Sequence, residues 1–227
     1  MKKKKIAVVT EAGNDLGKKF AQILTKNGYE VILAAKKSSY VALSREAIPA
    51  GIHLVKVDFT SIDSLIVLKN FIQKGYGKLD LLVNNAEIAN GFGQKIDTLN
   101  MTEVKQLYEE NFFSIIRVIQ VLQPLIQKSE RPNIINITNP IGDIAKMQDE
   151  RFPYANYQMT AYATAKAALN MYTVLQAKEF ENSKINIHSF DPIKLKNCTH
   201  NSVTICKTVE KEFLSLTEKD EKKMERC

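Results

Sequence analysis

Glycine is scarce in this chain. The sequence has 9 glycines among 227 residues, roughly half of the share that is usual in proteins. Glycine lets the backbone turn sharply or approach a ligand closely without steric cost. Any site that depends on several glycines at fixed positions is therefore expected to be altered here.

Cysteine and long apolar runs are also scarce. The three cysteines, Cys198, Cys206 and Cys227, lack the spacing of metal ligands, and their odd number argues against a disulfide scaffold. No apolar run approaches the length of a membrane span. The Lys2–Lys5 cluster resembles the start of a signal peptide, but the apolar stretch after it is too short for one. We therefore expect a cytoplasmic protein without a membrane partner.

The charge is basic, but it lacks the pattern of a nucleic-acid-binding protein. There are 32 Lys and Arg residues against 25 Asp and Glu, a formal net charge of +7. Such a surface can attract nucleic acids or anionic membranes. However, no aromatic residues interleave with the basic ones, and no nucleic-acid-binding motif is present. The sequence favours a solvated, lysine-rich surface with no nucleic-acid partner.

What the chain does contain is a regular alternation of strand-like and helix-like segments. Its composition is ordinary for a globular protein, and its length fits one domain, residues 1–227. The predicted strands are Ile6–Thr10, Val31–Ala35, Ile52–Val57, Leu79–Val83, Ile134–Thr138 and Ile185–Phe190. The predicted helices are Leu16–Asn27, a short one near Ser44, Ile62–Gln73, Glu103–Lys128, Ala161–Glu181 and Val209–Lys223. Because strands that alternate with helices form a parallel sheet covered on both faces, we expect a doubly wound, Rossmann-like α/β domain with three layers and six strands.

The loop after the first strand is the first place to look for a ligand in such a domain. Residues 10–17 read Thr-Glu-Ala-Gly-Asn-Asp-Leu-Gly and resemble the short-chain dehydrogenase/reductase motif Thr-Gly-x-x-x-Gly-x-Gly, of which Thr10 and Gly17 match. Glu11 and Asp15 occupy the other two glycine positions, where carboxylates add bulk and repel a phosphate. Taken alone, an ordinary strand-to-helix turn is the better interpretation of this loop.

Later segments strengthen the resemblance to this family, and they follow in the family's order. They are Asn84-Asn85-Ala86 with Glu87 in place of the usual glycine, Asn111 on the long helix, Asn139 where the family has a serine, Tyr162-x-x-x-Lys166 in an alanine-rich helix, and Asp191-Pro192 after the last strand. Together the segments cover residues 6 to about 195. The chain is identified as a member of the short-chain dehydrogenase/reductase family, similar to carbonyl reductases, with a degenerate glycine motif.

Tyr162 and Lys166 form the predicted chemical centre. Four residues apart on one helix, they share a face, and the nearby ammonium is expected to lower the pKa of Tyr162 from ~10. Such a tyrosine suits a general acid that protonates a carbonyl oxygen, or a base in the reverse direction. The alternative is an exposed Tyr/Lys pair without a role.

The resemblance assigns further roles around this pair. It implies that Lys166 also holds the nicotinamide ribose, that Asn111 anchors a proton-relay water, and that Asn139 stands where a serine orients the substrate carbonyl. An asparagine amide can donate a hydrogen bond to an oxyanion. It cannot copy the combined donor and acceptor geometry of a hydroxyl, so we expect reduced or altered activity.

The end of the second strand bears on the choice of cofactor. Residues 34–37 read Ala-Ala-Lys-Lys, without the acidic residue with which an NAD site binds the ribose hydroxyls. By the resemblance, Lys36 meets the 2′-phosphate and Asp58 the adenine, so NADPH is favoured over NADH; no cofactor binds if the altered loop has lost this function. Gly13 and Asn14 can shift the turn and partly restore that loop. The residues assigned to the cofactor are Thr10, Gly13, Asn14, Leu16, Gly17, Lys36, Asp58, Asn84, Asn85, Ala86, Tyr162, Lys166 and Pro192.

Two functions remain open, and the sequence favours the first. The first function is an NADPH-dependent carbonyl reductase or alcohol dehydrogenase with a small carbonyl or alcohol substrate, in which Met147–Met159 either faces the substrate or is a loop without a role. The second is a catalytically weak or inactive relative that binds a ligand or partner through the same cleft. The family's last strand is missing after Pro192, and the resemblance implies a homodimer or homotetramer built on the helices Glu103–Lys128 and Ala161–Glu181.

Overall fold

A sheet of six parallel strands organises the molecule. The computed structural model describes residues 4–11, 13–44, 48–85, 87–192 and 203–218, with side chains at residues 210–217 in the last of these ranges. The strands are β1 (Lys5–Thr10), β2 (Tyr29–Ala35), β3 (Ile52–Lys56), β4 (Leu81–Asn84), β5 (Asn133–Ile137) and β6 (Asn186–Phe190). They lie in the order β3-β2-β1-β4-β5-β6, and their pairings are parallel. The predicted doubly wound, Rossmann-like fold is confirmed.

Helices lie on both faces of this sheet. They are α1 (Asp15–Lys26), α2 (Lys37–Leu43), α3 (Ile62–Gly75), α4 (Met101–Tyr108), α5 (Ser114–Ile126), α6 (Ile144–Met147), α7 (Thr160–Glu179) and α8 (Val203–Glu218). A π-helical turn, Glu109–Phe113, joins α4 to α5, and a 3-10 turn, Pro140–Gly142, follows β5.

Most predicted helix ends differ from the observed ones by one or two residues, and three helices need separate comment. The helix predicted over residues 103–128 runs from Met101 to Ile126 and contains the π-helical turn. The short helix predicted near Ser44 is α2, which ends one residue before it. The last helix begins at Val203, earlier than predicted, and the predicted stretch 219–223 lies outside the described residues.

Each strand contributes side chains to two separate cores, because successive residues of a strand point to opposite faces. In β1, Ile6 and Val8 face the core beneath α3 and α5, whereas Ala7 and Val9 face the core beneath α1. All four of these side chains are buried. This double burial explains why β1 is apolar between its two end residues.

A cluster of three aromatic rings closes the second core. Phe20 of α1 and Phe213 of α8 have ring centroids 4.7 Å apart, and Phe190 at the end of β6 lies 5.3 Å from Phe213 and 6.2 Å from Phe20. All three rings are buried. The helix α8 is therefore anchored to the face of the sheet that α1 also covers.

The strand order reverses between β1 and β4. From β1 the chain moves outward to β2 and β3, and from β4 it moves the other way to β5 and β6. In sheets of this kind, the crevice for a ligand forms beyond the carboxyl ends of the two strands at the reversal. The fold therefore directs attention to the residues that follow β1 and β4.

Two further predictions concern the outside of the molecule. In the part of the chain that the structure describes, no strand follows β6, and every helix is too short or too polar to traverse a lipid bilayer. On α7, Met171, Val174 and Leu175 are all more than half exposed. Self-association through this helix stays a prediction.

The close packing of the 3-10 turn against α7 gives a stability test. A Cβ at Gly142 would lie 2.7 Å from the backbone carbonyl carbon of Lys166 and 2.9 Å from the backbone nitrogen of Ala167. We expect Gly142→Ala to lower the free energy of unfolding by about 1–3 kcal/mol, the usual cost of overpacking. Urea denaturation measures the change.

Gly75, at the end of α3, is the matched control. A Cβ there would meet no atom within 4 Å, and alanine is favoured over glycine in a helix by up to about 1 kcal/mol. Gly75→Ala is therefore expected to leave the free energy of unfolding unchanged or to raise it. Equal stability of the two variants would contradict the packing described for Gly142.

Candidate active site

Tyr162 and Lys166 are both buried at the carboxyl edge of the sheet. Tyr162 is 1% exposed and Lys166 is 0% exposed, which excludes the alternative of a solvent-exposed pair. Small side chains around them, including Ala161 and Ala165, allow α7 to pack closely on the sheet. The Lys166 Nζ donates to the carbonyl oxygen of Ile137 at 3.3 Å and lies 5.7 Å from the centre of the Tyr162 ring.

The hydroxyl of Tyr162 donates a hydrogen bond to the carboxylate of Glu87. Burial raises the pKa of Tyr162 well above its usual range, and the negative charge and accepted hydrogen bond of Glu87 raise it further. A hydrogen bond with Asn139 acts in the opposite direction, and the charge of Asp191 adds to the rise. The predicted lowering of this pKa by Lys166 was therefore wrong.

Asn139 lies beside Tyr162, as the resemblance implied. It precedes the 3-10 turn, and its Oδ1 accepts the backbone N–H of Ile141 at 3.1 Å. The neighbouring Thr138 hydroxyl points elsewhere and donates to Asn170. Of these two polar residues, Asn139 is the one whose side chain reaches the hydroxyl of Tyr162.

Asn111 is fully buried in the π-helical turn and binds the backbone that follows β4. Its Oδ1 accepts the N–H of Ile88 at 3.1 Å, and its Nδ2 donates to the carbonyl oxygens of Ile88 and Leu107, each at 2.9 Å. The amide therefore uses both of its hydrogens and one oxygen lone pair within the protein. These bonds fix the residue next to Glu87.

The loop after β1 keeps a glycine-like backbone although it carries a glutamate. Glu11 has a φ of 49°, in the left-handed region that glycine adopts without steric cost. Asn14 caps α1 by accepting the N–H of Gly17 at 2.7 Å. Asn85, which follows β4, donates from Nδ2 to the carbonyl oxygens of Thr10 at 3.1 Å and Glu11 at 3.2 Å, and so ties the two strand ends together.

Two carboxylates surround Lys36 at the end of β2. Glu11 accepts the backbone N–H of Lys36 at 3.0 Å, and Glu110 forms a 2.5 Å ion pair with its Nζ. Burial raises the pKa of Glu11, although the Lys36 N–H and ammonium act in the opposite direction. Because Glu110 lies in the π-helical turn beyond β4, this ion pair crosses the crevice between β1 and β4.

The other predicted cofactor residues take varied positions. Asp58 is exposed and accepts two hydrogen bonds from Thr60, and the hydroxyl of that threonine is the main reason why the pKa of Asp58 is lowered. The side chain of Leu16 packs in the core beneath α1, and its assignment to the cofactor stays a prediction. Pro192 is buried just beyond β6, and Ala86 lies outside the described residues.

Sequence reasoning missed two functional neighbours. Glu87 was noted as a substitution for glycine but not as the partner of Tyr162, and Glu110 was not considered. Each lies more than 70 residues from its partner along the chain. A charged residue directly beside a recognised motif residue is the signal that was available for both, since Glu87 follows the Asn-Asn-Ala segment and Glu110 precedes Asn111.

A nicotinamide dinucleotide, which the resemblance implies, fits the residues at two places of this edge. The buried Oδ1 atoms of Asn84 and Asn85 have no hydrogen-bond partner among the described residues, so each can accept a hydrogen bond from a bound molecule. The ammonium of Lys36 is the second place, because it can release Glu110 and form an ion pair with a phosphate of the cofactor instead. The loop between them is less open, since a Cβ at Gly13 would lie 2.2 Å from that of Ser39.

The family model described as short chain dehydrogenase matches residues 5–205. The chain is 28% identical to short-chain dehydrogenase/reductase 1 of Saponaria officinalis, with 81% of this chain and 80% of that protein covered. It is 27% identical to 7alpha-hydroxysteroid dehydrogenase of Escherichia coli K12, covering 83% and 70%. The NADPH-bound carbonyl reductase from chicken fatty liver shares its fold, with a TM-score of 0.79, 22% identity, and 97% and 94% of the two chains covered.

The raised pKa of Glu11 predicts a pH-dependent change in stability. The folded state binds this proton more tightly than the unfolded state, so stability falls as pH rises from the ordinary value of 4.5 through the raised pKa. Glutamine keeps the oxygen that accepts the Lys36 N–H but carries no charge. We expect Glu11→Gln to raise the free energy of unfolding near neutral pH, and this gain should disappear below about pH 4.5. Urea denaturation at a series of pH values measures the difference.

Glu30 is a control of opposite sign. Its pKa is lowered, first by the hydrogen bond from Lys4 and then by that from His53, so its charge stabilises the folded state above the unfolded pKa. Glu30→Gln is expected to destabilise the protein near neutral pH, with the difference shrinking in acid. If Glu11→Gln behaves like Glu30→Gln, burial is not the main influence on Glu11.

Proposed function

The chain belongs to the short-chain dehydrogenase family, and from this premise we propose that it is an oxidoreductase that interconverts a small carbonyl compound and its alcohol with NADP(H). The observation that carries the proposal is the buried hydroxyl of Tyr162 at the carboxyl edge of the sheet. This hydroxyl is hydrogen bonded to Asn139, and the ring that carries it lies near the ammonium of Lys166. The group lies at the reversal of strand order, where such domains bind ligands.

Tyr162 and Asn139 act on the substrate oxygen in this proposal. Burial and Glu87 raise the pKa of Tyr162, so its hydroxyl carries a proton. In this proposal the hydroxyl passes that proton to the oxygen of a carbonyl group. The Oδ1 of Asn139 already accepts the N–H of Ile141, so its Nδ2 is the atom that donates to the negative charge that develops on that oxygen. Donors already fixed in a water-poor site cost no reorganisation during the reaction.

Lys166 and Asn111 hold this arrangement in place. The ammonium of Lys166 bonds the end of β5 at Ile137 and lies near the ring of Tyr162, so it fixes the ring relative to the sheet. Asn111 fixes the backbone after β4 through Ile88. The role of Asn111 in anchoring a relay water remains part of the proposal.

Lys36, Asp58, Asn84, Asn85 and Lys166 would hold the cofactor. When bound, NADP(H) supplies or accepts the hydride of the reaction. The preference for NADP(H) over NAD(H) rests on Lys36 and on the apolar residues before it, since no carboxylate ends β2 to bind the ribose hydroxyls. Glu11 and Glu110 compete with a phosphate for Lys36, so the affinity is expected to be modest.

The second function considered from the sequence, binding without turnover, is not favoured. The relatives compared above are named as dehydrogenases or reductases. In addition, Tyr162, Lys166 and Asn139 converge in this chain, which a protein without catalysis has no evident need to maintain. The substrate class is a small carbonyl or alcohol, with the segment Met147–Met159 facing it.

Tyr162→Phe tests the assigned acid. We expect it to reduce the NADPH-dependent turnover of carbonyl compounds by about 10²–10⁴-fold, the usual contribution of a positioned proton donor, and to leave the affinity for NADPH unchanged. Turnover is followed by NADPH absorbance, and affinity by NADPH fluorescence. Tyr172→Phe, on the same helix, is the control and should keep full activity; equal turnover in both variants would remove Tyr162 from the mechanism.

The cofactor preference is tested by thermal melting with NADPH and, separately, with NADH. A ligand at a hundred times its dissociation constant stabilises the folded state by ~2.7 kcal/mol, so we expect a clear rise in the Tm with NADPH and a smaller one with NADH. The double variant Glu11→Gly with Asp15→Gly removes two carboxylates near the phosphate and should strengthen the NADPH effect. An unchanged affinity in the double variant would mean that the loop does not limit binding.

A further inference from the structure

Glu87 occupies a position that can transfer a proton. It follows β4, and its side chain accepts the hydroxyl hydrogen of Tyr162, which comes from α7. The two residues are 75 positions apart in sequence, so the contact is made only by the fold. Asn111 bonds both backbone groups of Ile88 and thereby positions the adjacent Glu87.

The surroundings of Tyr162 disfavour a phenolate. The carboxylates of Glu87 and Asp191 add negative charge near the hydroxyl, and Lys166 directs its ammonium to the carbonyl oxygen of Ile137. A phenolate would therefore stand, buried, beside carboxylates. Tyr162 can hand on a proton only if it receives another one as it does so.

Glu87 is the neighbour able to supply that proton. Among the residues that the structure describes, the side chains of Glu87 and Asn139 hydrogen bond to the hydroxyl. The amide of Asn139 neither gains nor loses protons in the ordinary pH range. Tyr162 is 1% exposed, whereas Glu87 is partly exposed. Glu87 therefore links a hydroxyl that is closed to water with the solvent.

We propose that Glu87 and Tyr162 form a proton-transferring pair in which Glu87 is the terminal acid and base. The inference rests on the proposed function, with a reduced nicotinamide as the hydride donor. In reduction, the carbonyl carbon gains the hydride, the electron pair of the C=O π bond moves to oxygen, and that oxygen takes the proton of Tyr162. The oxygen of Tyr162 takes the proton of the Glu87 carboxyl group, which is left as a carboxylate.

The reverse sequence serves alcohol oxidation. The carboxylate of Glu87 takes the proton of Tyr162 while the oxygen of Tyr162 takes the proton of the alcohol. In both directions Tyr162 stays neutral, so no phenolate forms next to a carboxylate. Glutamate in place of glycine thus adds a proton acceptor to the site.

Glu87→Gln is the decisive substitution, because glutamine keeps an acceptor oxygen for the Tyr162 hydroxyl but cannot carry the proton. The pair itself is tested without turnover, by NMR of protein labelled with 13C at the phenolic carbon of its 8 tyrosines. Tyr162→Phe identifies the Tyr162 signal. We expect this signal to shift in Glu87→Gln and to stay unchanged in Glu179→Gln, an exposed control at the end of the same helix.

The transfer is tested by turnover in mixtures of light and heavy water. The plot of reduction rate against deuterium fraction should be curved for the unaltered protein, because two protons move in the same step. The plot should be a straight line for Glu87→Gln, in which only one proton moves. The rate should also fall by about 10²-fold in that variant and remain unchanged in Glu179→Gln, with equal NADPH affinity in all three proteins.

The outcomes separate this inference from the proposed function. A Tyr162 signal that ignores Glu87→Gln overturns the pair, even in an active enzyme. Full activity or an unaltered deuterium dependence in Glu87→Gln overturns the transfer. A shifted signal in a protein that binds no NADPH supports the pair and refutes the proposed function.

Discussion

Burial of β1 and β4 on both faces is the constraint from which the site follows. Their interior side chains, such as Val8 and Leu82, are fully buried between the two layers of helices. A polar side chain within these strands would lose its water without a partner to replace it. Thr10, Asn84 and Asn85 appear only as the strands end, so the chemistry of the molecule is concentrated at one edge.

The fold could be predicted because its signals are local. The alternation of apolar runs and helical spacing identified six strands and their parallel arrangement, and a spacing of four residues placed Tyr162 and Lys166 on one face of a helix. Both residues lie at the carboxyl edge of the sheet. The π-helical turn at Glu109–Phe113 has no comparable signal, and a continuous helix was predicted there instead.

The electrostatics of the site could not be predicted in the same way. The pKa of Tyr162 moves opposite to expectation because the residue is buried and its hydroxyl meets Glu87, and Lys36 is engaged by Glu110. Both pairs join residues more than 70 positions apart, and spacing within a helix or strand says nothing about such distances. The sequence shows which residues are charged, but only the fold shows which of them form pairs.

The two glutamates at family glycine positions share a property. Glu11 accepts the N–H of Lys36 while its backbone stays in a glycine-like conformation, and Glu87 accepts the hydroxyl of Tyr162. Each carboxylate has thus acquired a specific donor in the cleft. The altered motif therefore has new hydrogen bonds made by the glutamate side chains, in addition to the loss of glycines.

The three-ring cluster at Phe20, Phe190 and Phe213 also orders events in time. A ribosome delivers Phe20 long before Phe190 and Phe213, yet the three rings pack against one another in the same core. Until α8 emerges, the face around Phe20 and Phe190 remains an apolar surface open to water. Surfaces of this kind are where nascent chains aggregate or engage chaperones, so the arrival of α8 protects this part of the newly made chain.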